Sequence, residues 1–277
     1  MTDLAQLRLD IVEVGRRLWT RGFVASNDGN ISVRLPGDRL LCTPASVSKG
    51  FMAPEMMVIT DMEGRLIEGA PGRKASSEIL MHLMAYRHRP DVHAVVHAHP
   101  PLSTGFAVAG IPLDRAVLAE VITTLGAIPI ADYATPSTPA LPAAVEPYVK
   151  THDALLLANH GALALGADLF AAYYKMETIE HFARISLVAR MLGRENTLSR
   201  DEVGRLQELR DRYGIASPAP VCVDTQSGQD PDCQVVVVDG QVAVGNGGEI
   251  QLTYGQLASL VDEAVRQLAS TRAHSRG

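Results

Sequence analysis

The chain has 277 residues, 47% of them apolar and 20% charged, a balance that excludes a disordered or fibrous protein and fits a soluble globular one. Its formal charge of 25 minus 31, or −6, comes without a lysine and arginine cluster, which argues against nucleic acid as a partner. No apolar run approaches the roughly 20 residues that span a bilayer, and the first twenty residues carry Asp3, Asp10 and Glu13 instead of a basic start before an apolar core, so the expected location is the cytoplasm with no membrane partner.

Apolar residues at Leu4, Leu7, Ile11, Val12, Val14 and Leu18 are close to helical spacing and predict an amphipathic opening helix over 4–21, closed by Gly22. The turn formers Ser26-Asn27-Asp28-Gly29-Asn30 lead into an alternating strand, Ile31–Leu35, which ends at Pro36-Gly37 and has Leu40–Pro44 as hairpin partner. Segments 57–60 and 65–68 flank Asp61-Met62-Glu63-Gly64 and predict a second hairpin, so an antiparallel sheet is expected. Ser76 and Ser77 offer an N-cap hydroxyl to a helix carrying Ile79, Leu80, Leu83 and Met84 and stopped by Pro90. Five prolines between 129 and 147 predict extended loops around one short strand, Ile128–Tyr133. A helix over 167–191 with Gly193 as its stop and another from Ser199 to about Tyr213 follow. Ser217-Pro218-Ala219-Pro220 reads as a linker to an appendage, residues 216–277, with a hairpin (233–238, 241–244) and an amphipathic helix (253–269). Cys42, Cys222 and Cys233 are an odd set without a close pair, which predicts reduced thiols rather than disulfides or a cysteine metal site.

Chemistry concentrates in Glu78, His97, His99 and His160. The run Val95-Val96-His97-Ala98-His99-Pro100 reads as a strand end, and residues two apart on a strand project from one face, so both imidazoles can converge on a divalent metal. A second apolar run, Ala154 to Ala158, ends at Asn159-His160-Gly161 and can bring the third ring. His82, His88, His93, His152, His181 and His274 read as ordinary structural histidines.

Gly29-Asn30-Ile31-Ser32-Val33-Arg34, Thr43-Pro44, Ser76-Ser77-Glu78, His97-Ala98-His99-Pro100 and Asn159-His160-Gly161 together resemble, in order and spacing, the class II aldolase/adducin family, closest to its fuculose-1-phosphate aldolase-like enzymes. The likeness covers about residues 5–212, so residues 1–215 are read as the aldolase domain. The resemblance implies a three-layer α/β/α sandwich around a mostly antiparallel sheet, and a homotetramer with sites between subunits. It implies Zn2+, with Mn2+ or Co2+ as alternatives, held by His97, His99 and His160, with Glu78 approaching the metal at rest and carrying protons in turnover. Asn30, Ser46, Ser76 and Ser77 match its phosphate-binding positions, where hydroxyls, an amide and helix-start N–H groups can receive an anion.

The activity implied is reversible cleavage of a ketose 1-phosphate, of the fuculose 1-phosphate or 5-deoxypentulose 1-phosphate type, into dihydroxyacetone phosphate and an aldehyde through a metal-stabilised enediolate. Sugar-phosphate 4-epimerase, keto-acid phosphate decarboxylase and non-enzymatic scaffold are the alternatives within the family. Two departures bear on it. Ala45-Ser46 stands where family aldolases often have Thr-Gly, and Leu118-Ala119-Glu120-Val121 holds no tyrosine where fuculose-1-phosphate aldolase has one; Tyr213 offers a late hydroxyl instead. The stripe of Leu252, Leu257, Leu260, Val261, Ala264, Val265 and Leu268 suits docking on the parent domain, a neighbouring subunit, or a bacterial microcompartment shell.

Overall fold

A computed structural model describes residues 3–215, residue 221 and the short strands at 237–238 and 241–242. It opens with helix α1 (Leu4–Thr20), whose N-terminus is capped by the Asp3 carboxylate accepting from Ala5 N, and whose buried Ile11, Val14 and Leu18 lie on one side as their spacing predicts. Strands β1 (Asn30–Leu35), β2 (Arg39–Cys42), β3 (Val58–Asp61) and β4 (Leu66–Glu68) form the expected antiparallel ladder. Helix α2 (Ile79–His88) precedes β5 (Ala94–Ala98), which is followed by α3 (Pro101–Val108), α4 (Ala119–Thr124), β6 (Ile130–Ala131), α5 (Ala140–Val149), β7 (Ala154–Leu157), β8 (Gly161–Gly166), α6 (Leu169–Met191) and α7 (Arg200–Arg212).

The strands make one eight-stranded sheet in the order β4-β3-β2-β1-β5-β8-β7-β6, antiparallel throughout except for the β6–β7 pair. Side-chain alternation divides the core into two layers. Ile31, Val33, Val96, Ala98, Ala162 and Ala164 face Ile11 and Val14 of α1, Phe106 of α3 and Met176 and Ile179 of α6. Leu40, Val95, Leu163 and Leu165 face Met81 and Met84 of α2 and Leu141 and Val145 of α5 on the other side. This is the α/β/α sandwich expected, with apolar side chains at the centre that each stabilise the fold by roughly 1.5–3 kcal/mol when fully buried.

Three expectations change. The stretch 129–147 is not all extended around a strand: β6 has only two residues, and α5 begins at Ala140. Pro142 lies in its first turn, where the missing N–H would have had no helical partner, whereas Pro147 lies inside the helix near its end and forgoes the bond to the Ala143 carbonyl. Neither serine side chain caps α2 in the usual way: Glu78 is the N-cap residue, and Ser76 Oγ accepts from Glu78 N at 3.3 Å while its carbonyl accepts from Ile79 N. Pro100 and Pro101 do not merely end β5 but start α3, with Pro101 as its first residue.

Helix α7 has Ser199 and Glu202 in a reciprocal capping box and packs on α4. Of the appendage, β9 (Val237–Val238) and β10 (Gln241–Val242) pair antiparallel as expected; the linker at 217–220, the helix at 253–269, Cys222, Cys233 and His274 lie outside the described residues. Cys42 is a free, buried thiol, pushed up to about 12 by burial.

Candidate metal centre

β1 and β5 pair in a register that sets Asn30 beside His97, and β5 and β8 pair so that His97 lies opposite Leu163. Both Asn30 and His97 are fully buried at the sheet's centre, on the face covered by α2. His99 lies one residue beyond the end of β5, its N–H donating to Phe23 O at 2.9 Å. His160 sits in the tight turn between β7 and β8, a turn that Asn159 completes at φ 55. The three rings stand edge to face, with centroids 4.8–5.1 Å apart, and one nitrogen from each can be chosen within 4.8 Å of the others.

Two glycines permit this approach. A Cβ on Gly161 would lie 2.5 Å from His99 Cδ2 and 2.6 Å from Ala98 O, while one on Gly29, at φ 71, would lie 2.8 Å from His97 O. Close approach, rather than turn formation alone, therefore fixes glycine on both flanks of the histidines.

Glu78, at the N-cap of α2, reaches into the cluster. Its Oε2 accepts from Asn30 Nδ2 at 2.8 Å and lies 3.4 Å from His97 Nε2; its Oε1 lies 3.0 Å from His160 Nε2 in a geometry that makes no hydrogen bond. Burial alone would raise the Glu78 carboxyl, but positive charge on the neighbouring His97 and His160 rings, when they are protonated, together with the Asn30 amide outweighs it and holds the group below the usual carboxylate range. Burial holds His97 below the ordinary imidazole range, and burial with the nearby His160 does the same for His99, so the rings favour their neutral, metal-ligating form.

The hydrogen bonds specify which nitrogens are available. His97 Nδ1 lies 2.9 Å from Ala162 O, a carbonyl that can only accept, so the proton is assigned to Nδ1 and Nε2 presents a lone pair. His99 Nε2 is 3.1 Å from that lone pair, and His99 Nδ1 is 3.5 Å from Asp28 Oδ2. A neutral His99 has one N–H: directed at Asp28, it leaves two bare nitrogens facing each other, an arrangement a cation relieves. Glu78 Oε1 and His160 Nδ1 are likewise buried without hydrogen-bond partners. Three convergent imidazoles, a carboxylate and these orphaned atoms fit a divalent cation, with Asp28 orienting His99 from behind.

The candidate phosphate residues border the same region. A bridge between Pro44 and Ala75 and the bond from Ala45 N to Lys74 O at 2.9 Å bring the Ser46 loop beside Ser76 and Ser77. Ser46 and Ser77 are exposed and Ser76 is half-buried, whereas the buried Asn30 commits its amide N–H to Glu78. Ser46 adopts φ 57, a left-handed conformation that explains why glycine suits this position. Tyr213, at the end of α7, is 72% exposed, and among the described residues no hydrogen bond or ring contact links it to the histidines.

Sequence reasoning passed over three side chains here. Asp28 read as a turn former, Lys49 drew no attention, and His82 was assigned an ordinary structural place. His82 is buried behind Glu78, four residues along α2, with Nδ1 2.7 Å from Ser32 Oγ; Ser32 in turn lies 2.9 Å from the Tyr86 hydroxyl. The spacing Glu78, His82, Tyr86 on one helix face was the available signal.

Residues 9–187 match the family described as the Class II Aldolase and Adducin N-terminal domain. The chain belongs to that family. Among its relatives, 3-oxo-tetronate 4-phosphate decarboxylase of Haemophilus influenzae is 35% identical over 190 residues, covering 67% of this chain and 88% of the relative. The 5-methylthioribulose-1-phosphate/5-deoxyribulose-1-phosphate aldolase of Rhodospirillum rubrum is 33% identical over 214 residues, 77% of this chain and 95% of the relative. A solved L-fuculose 1-phosphate aldolase superimposes with a TM-score of 0.69 at 29% identity, covering 74% of this chain and 96% of that one. These class II aldolase relatives are enzymes, and the sandwich described above is the fold of the class II aldolase structures.

Proposed function

We propose that the protein is a metal-dependent aldehyde-lyase that reversibly cleaves a ketose 1-phosphate, of the fuculose 1-phosphate or 5-deoxypentulose 1-phosphate type, to dihydroxyacetone phosphate and an aldehyde. The observation that carries this reading is Glu78 set against His97 and His160, an ionised acid–base group at the rim of a three-imidazole cluster. Zn2+ is the proposed cation, with Mn2+ and Co2+ as alternatives; bound by His97, His99 and His160, it would supply a Lewis acid at the ketone oxygen, where negative charge gathers as the carbon–carbon bond breaks.

The chain's own residues do the rest. In the synthetic direction the Glu78 carboxylate takes a proton from the carbon beside the ketone; in cleavage it is first protonated by the hydroxyl proton released as the aldehyde forms and then hands that proton to the carbon left electron-rich, a role that contributes typically 10²- to 10⁴-fold. Asn30 aims the carboxylate through its 2.8 Å hydrogen bond. Ser46, Ser76 and Ser77 supply hydroxyl and backbone donors for the phosphate at the border of the cluster, which fixes the reacting carbons relative to Glu78. The proposed assembly is a homotetramer, with residues 1–215 as the aldolase domain, and the proposed location is the cytoplasm or a bacterial microcompartment. No helix among the described residues is long and apolar enough to cross a membrane.

A second reading, decarboxylation of a keto-acid phosphate, is favoured by the 35% identical relative of that activity. The same proton-transfer role for Glu78 serves it, because loss of carbon dioxide beside a ketone leaves a carbanion of the same kind. Zinc-loaded protein should consume dihydroxyacetone phosphate with lactaldehyde or acetaldehyde, and Glu78→Gln should keep the metal while losing 10²- to 10⁴-fold in rate. Turnover of 3-oxo-tetronate 4-phosphate with no product across the aldehyde panel would replace the aldolase reading with the decarboxylase one. No turnover of either, from protein holding one metal per chain, would overturn both.

A further inference from the structure

Lys49 is 2% exposed, which is unusual for a lysine without a carboxylate bonded to it. Its Nζ donates to Val47 O at 2.7 Å and to Asn27 O at 3.1 Å, two neutral carbonyls. An ammonium has three N–H groups, so one remains uncommitted among the described residues, and no carboxylate cancels the charge by direct contact. Among the described residues the other buried cations are bonded elsewhere: Arg89 to Asp91 and Asp153, Arg210 to Thr123 O.

The two carbonyls place the ammonium at a junction. Asn27 lies three residues before Asn30, Val47 directly follows Ser46, and the Ser46 loop is tied to the segment leading into Ser76 and Ser77 by the Pro44–Ala75 bridge. Asn30 and Ser46 therefore lie on the two segments whose carbonyls hold Lys49, and Ser76 and Ser77 follow a segment joined to the second of these. The position is also rigid. A Cβ on Gly15 of α1 would lie 2.8 Å from Lys49 O, and one on Gly50 would lie 2.5 Å from the Trp19 ring, so the Lys49–Phe51 turn is pressed onto α1.

We infer that Lys49 is a phosphate-binding residue, its buried ammonium presenting the remaining N–H and its charge to the phosphate of the substrate proposed above. The inference rests on the sugar-phosphate reading of the site. Charge balance supports it. Asp28 and Glu78 carry two negative charges toward Lys49, enough to offset a divalent cation by themselves; with Lys49 the pocket is left with a net positive charge to meet a dianion. Burial lowers the Lys49 ammonium to about 8, which leaves it charged at neutral pH.

The test uses full-length, zinc-loaded wild type, Lys49→Met and Lys49→Arg, with inorganic phosphate as the calorimetric probe and dihydroxyacetone phosphate as the kinetic one. Lys49→Met should keep its zinc and lose about tenfold or more in phosphate affinity, with KM for dihydroxyacetone phosphate rising in step and kcat changing little; Lys49→Arg should recover most of the loss. Tungstate soaked into wild-type crystals should place an oxygen within hydrogen-bond distance of Nζ, a readout that survives any folding defect in the variants. Wild-type phosphate affinity in Lys49→Met, or tungstate held by the serines with Nζ out of reach, overturns the assignment while leaving the lyase reading intact. Wild type that binds zinc but no phosphate overturns the phosphate reading itself, and this assignment with it.

Discussion

Gly161→Ala tests whether the three imidazoles are arranged for a cation. The added Cβ would stand 2.5 Å from His99 Cδ2, 2.6 Å from Ala98 O and 3.3 Å from His97 Cε1. Carbon atoms rest about 3.5–4.0 Å apart, so the His99 ring must retreat by about 1 Å and the Ala98 carbonyl by several tenths of that. The first shift can be made by a side chain, but the second distorts the end of β5 and moves His97 with it. Overpacking of this kind costs about 1–3 kcal/mol, which a sheet with this much buried apolar surface survives. Ligand distances, by contrast, tolerate only about 0.2 Å. The expected result is a folded protein, less stable in urea by about 1–3 kcal/mol, whose zinc affinity by calorimetry has fallen about 100-fold or more. A variant that holds one zinc per chain at wild-type affinity would refute the reasoning, because rings displaced that far cannot share an ion.

Glu180 on α6 is buried and accepts from Leu102 N at 3.0 Å and Ser103 N at 2.8 Å, closing the N-terminus of α3 just after His99; Glu180→Ala should cost about 2–4 kcal/mol in urea denaturation, and a loss under 1 kcal/mol would count against the cap. Burial lowers both His82 and His152 to about 4, so the unfolded chain, with histidines near 6.5, binds protons that the folded one refuses as pH falls from 6.5 to 4. Stability contributed by these neutral rings is complete above pH 6.5 and should fall by about 1.4 kcal/mol per pH unit for each histidine in that window; His82→Gln should make the urea midpoint less dependent on pH there, and an unchanged slope would show that His82 titrates normally. Ser46→Gly relieves a residue at φ 57 and should raise stability by up to about 1 kcal/mol, whereas a clear loss would mean that the Ser46 side chain stabilises its loop.

Much of the site is legible in the chain because its signals are local. His97 and His99 share a strand end, Glu78 follows two serines at a helix start, and His160 precedes a glycine at the end of an apolar run. The first hairpins and the helices α1, α6 and α7 are legible for the same reason, since each carries its own periodicity and stop signals. β8 was missed because Gly161-Ala162-Leu163-Ala164-Leu165-Gly166 has no β-branched or aromatic residue, and its small side chains make sense only between β5 and β7 in the centre of a sheet. The helices α3 and α5 were missed because proline was read as a breaker without asking which turn it would occupy. Asp28 and Lys49 become informative only when the chain folds: Asp28 lies 71 residues from His99, and Lys49 carries no motif until Asn27 and Val47 close over it.

The remaining question is what fixes the direction of Glu78, given that α2 has little amphipathic character to set its roll. Ile79 and every residue from Met81 to Tyr86 are buried, so apolar burial alone would accept several rotations of this helix with similar energy. Directional bonds discriminate where burial does not. Ser32, on the same face of β1 as Asn30, meets His82 Nδ1 at 2.7 Å and the Tyr86 hydroxyl, which donates to Ser32 O at 2.9 Å; Arg34, two residues further along, lies over the Tyr86 ring and donates to its carbonyl. The polar residues of β1 thus engage α2 at Glu78, His82 and Tyr86, one per turn, and a roll of the helix would strand all of these buried groups together. Asn30 alone could not hold the carboxylate against the histidines if the helix behind it were free to turn, so the ladder from Ser32 to Tyr86 is the physical reason that one glutamate reaches two imidazoles.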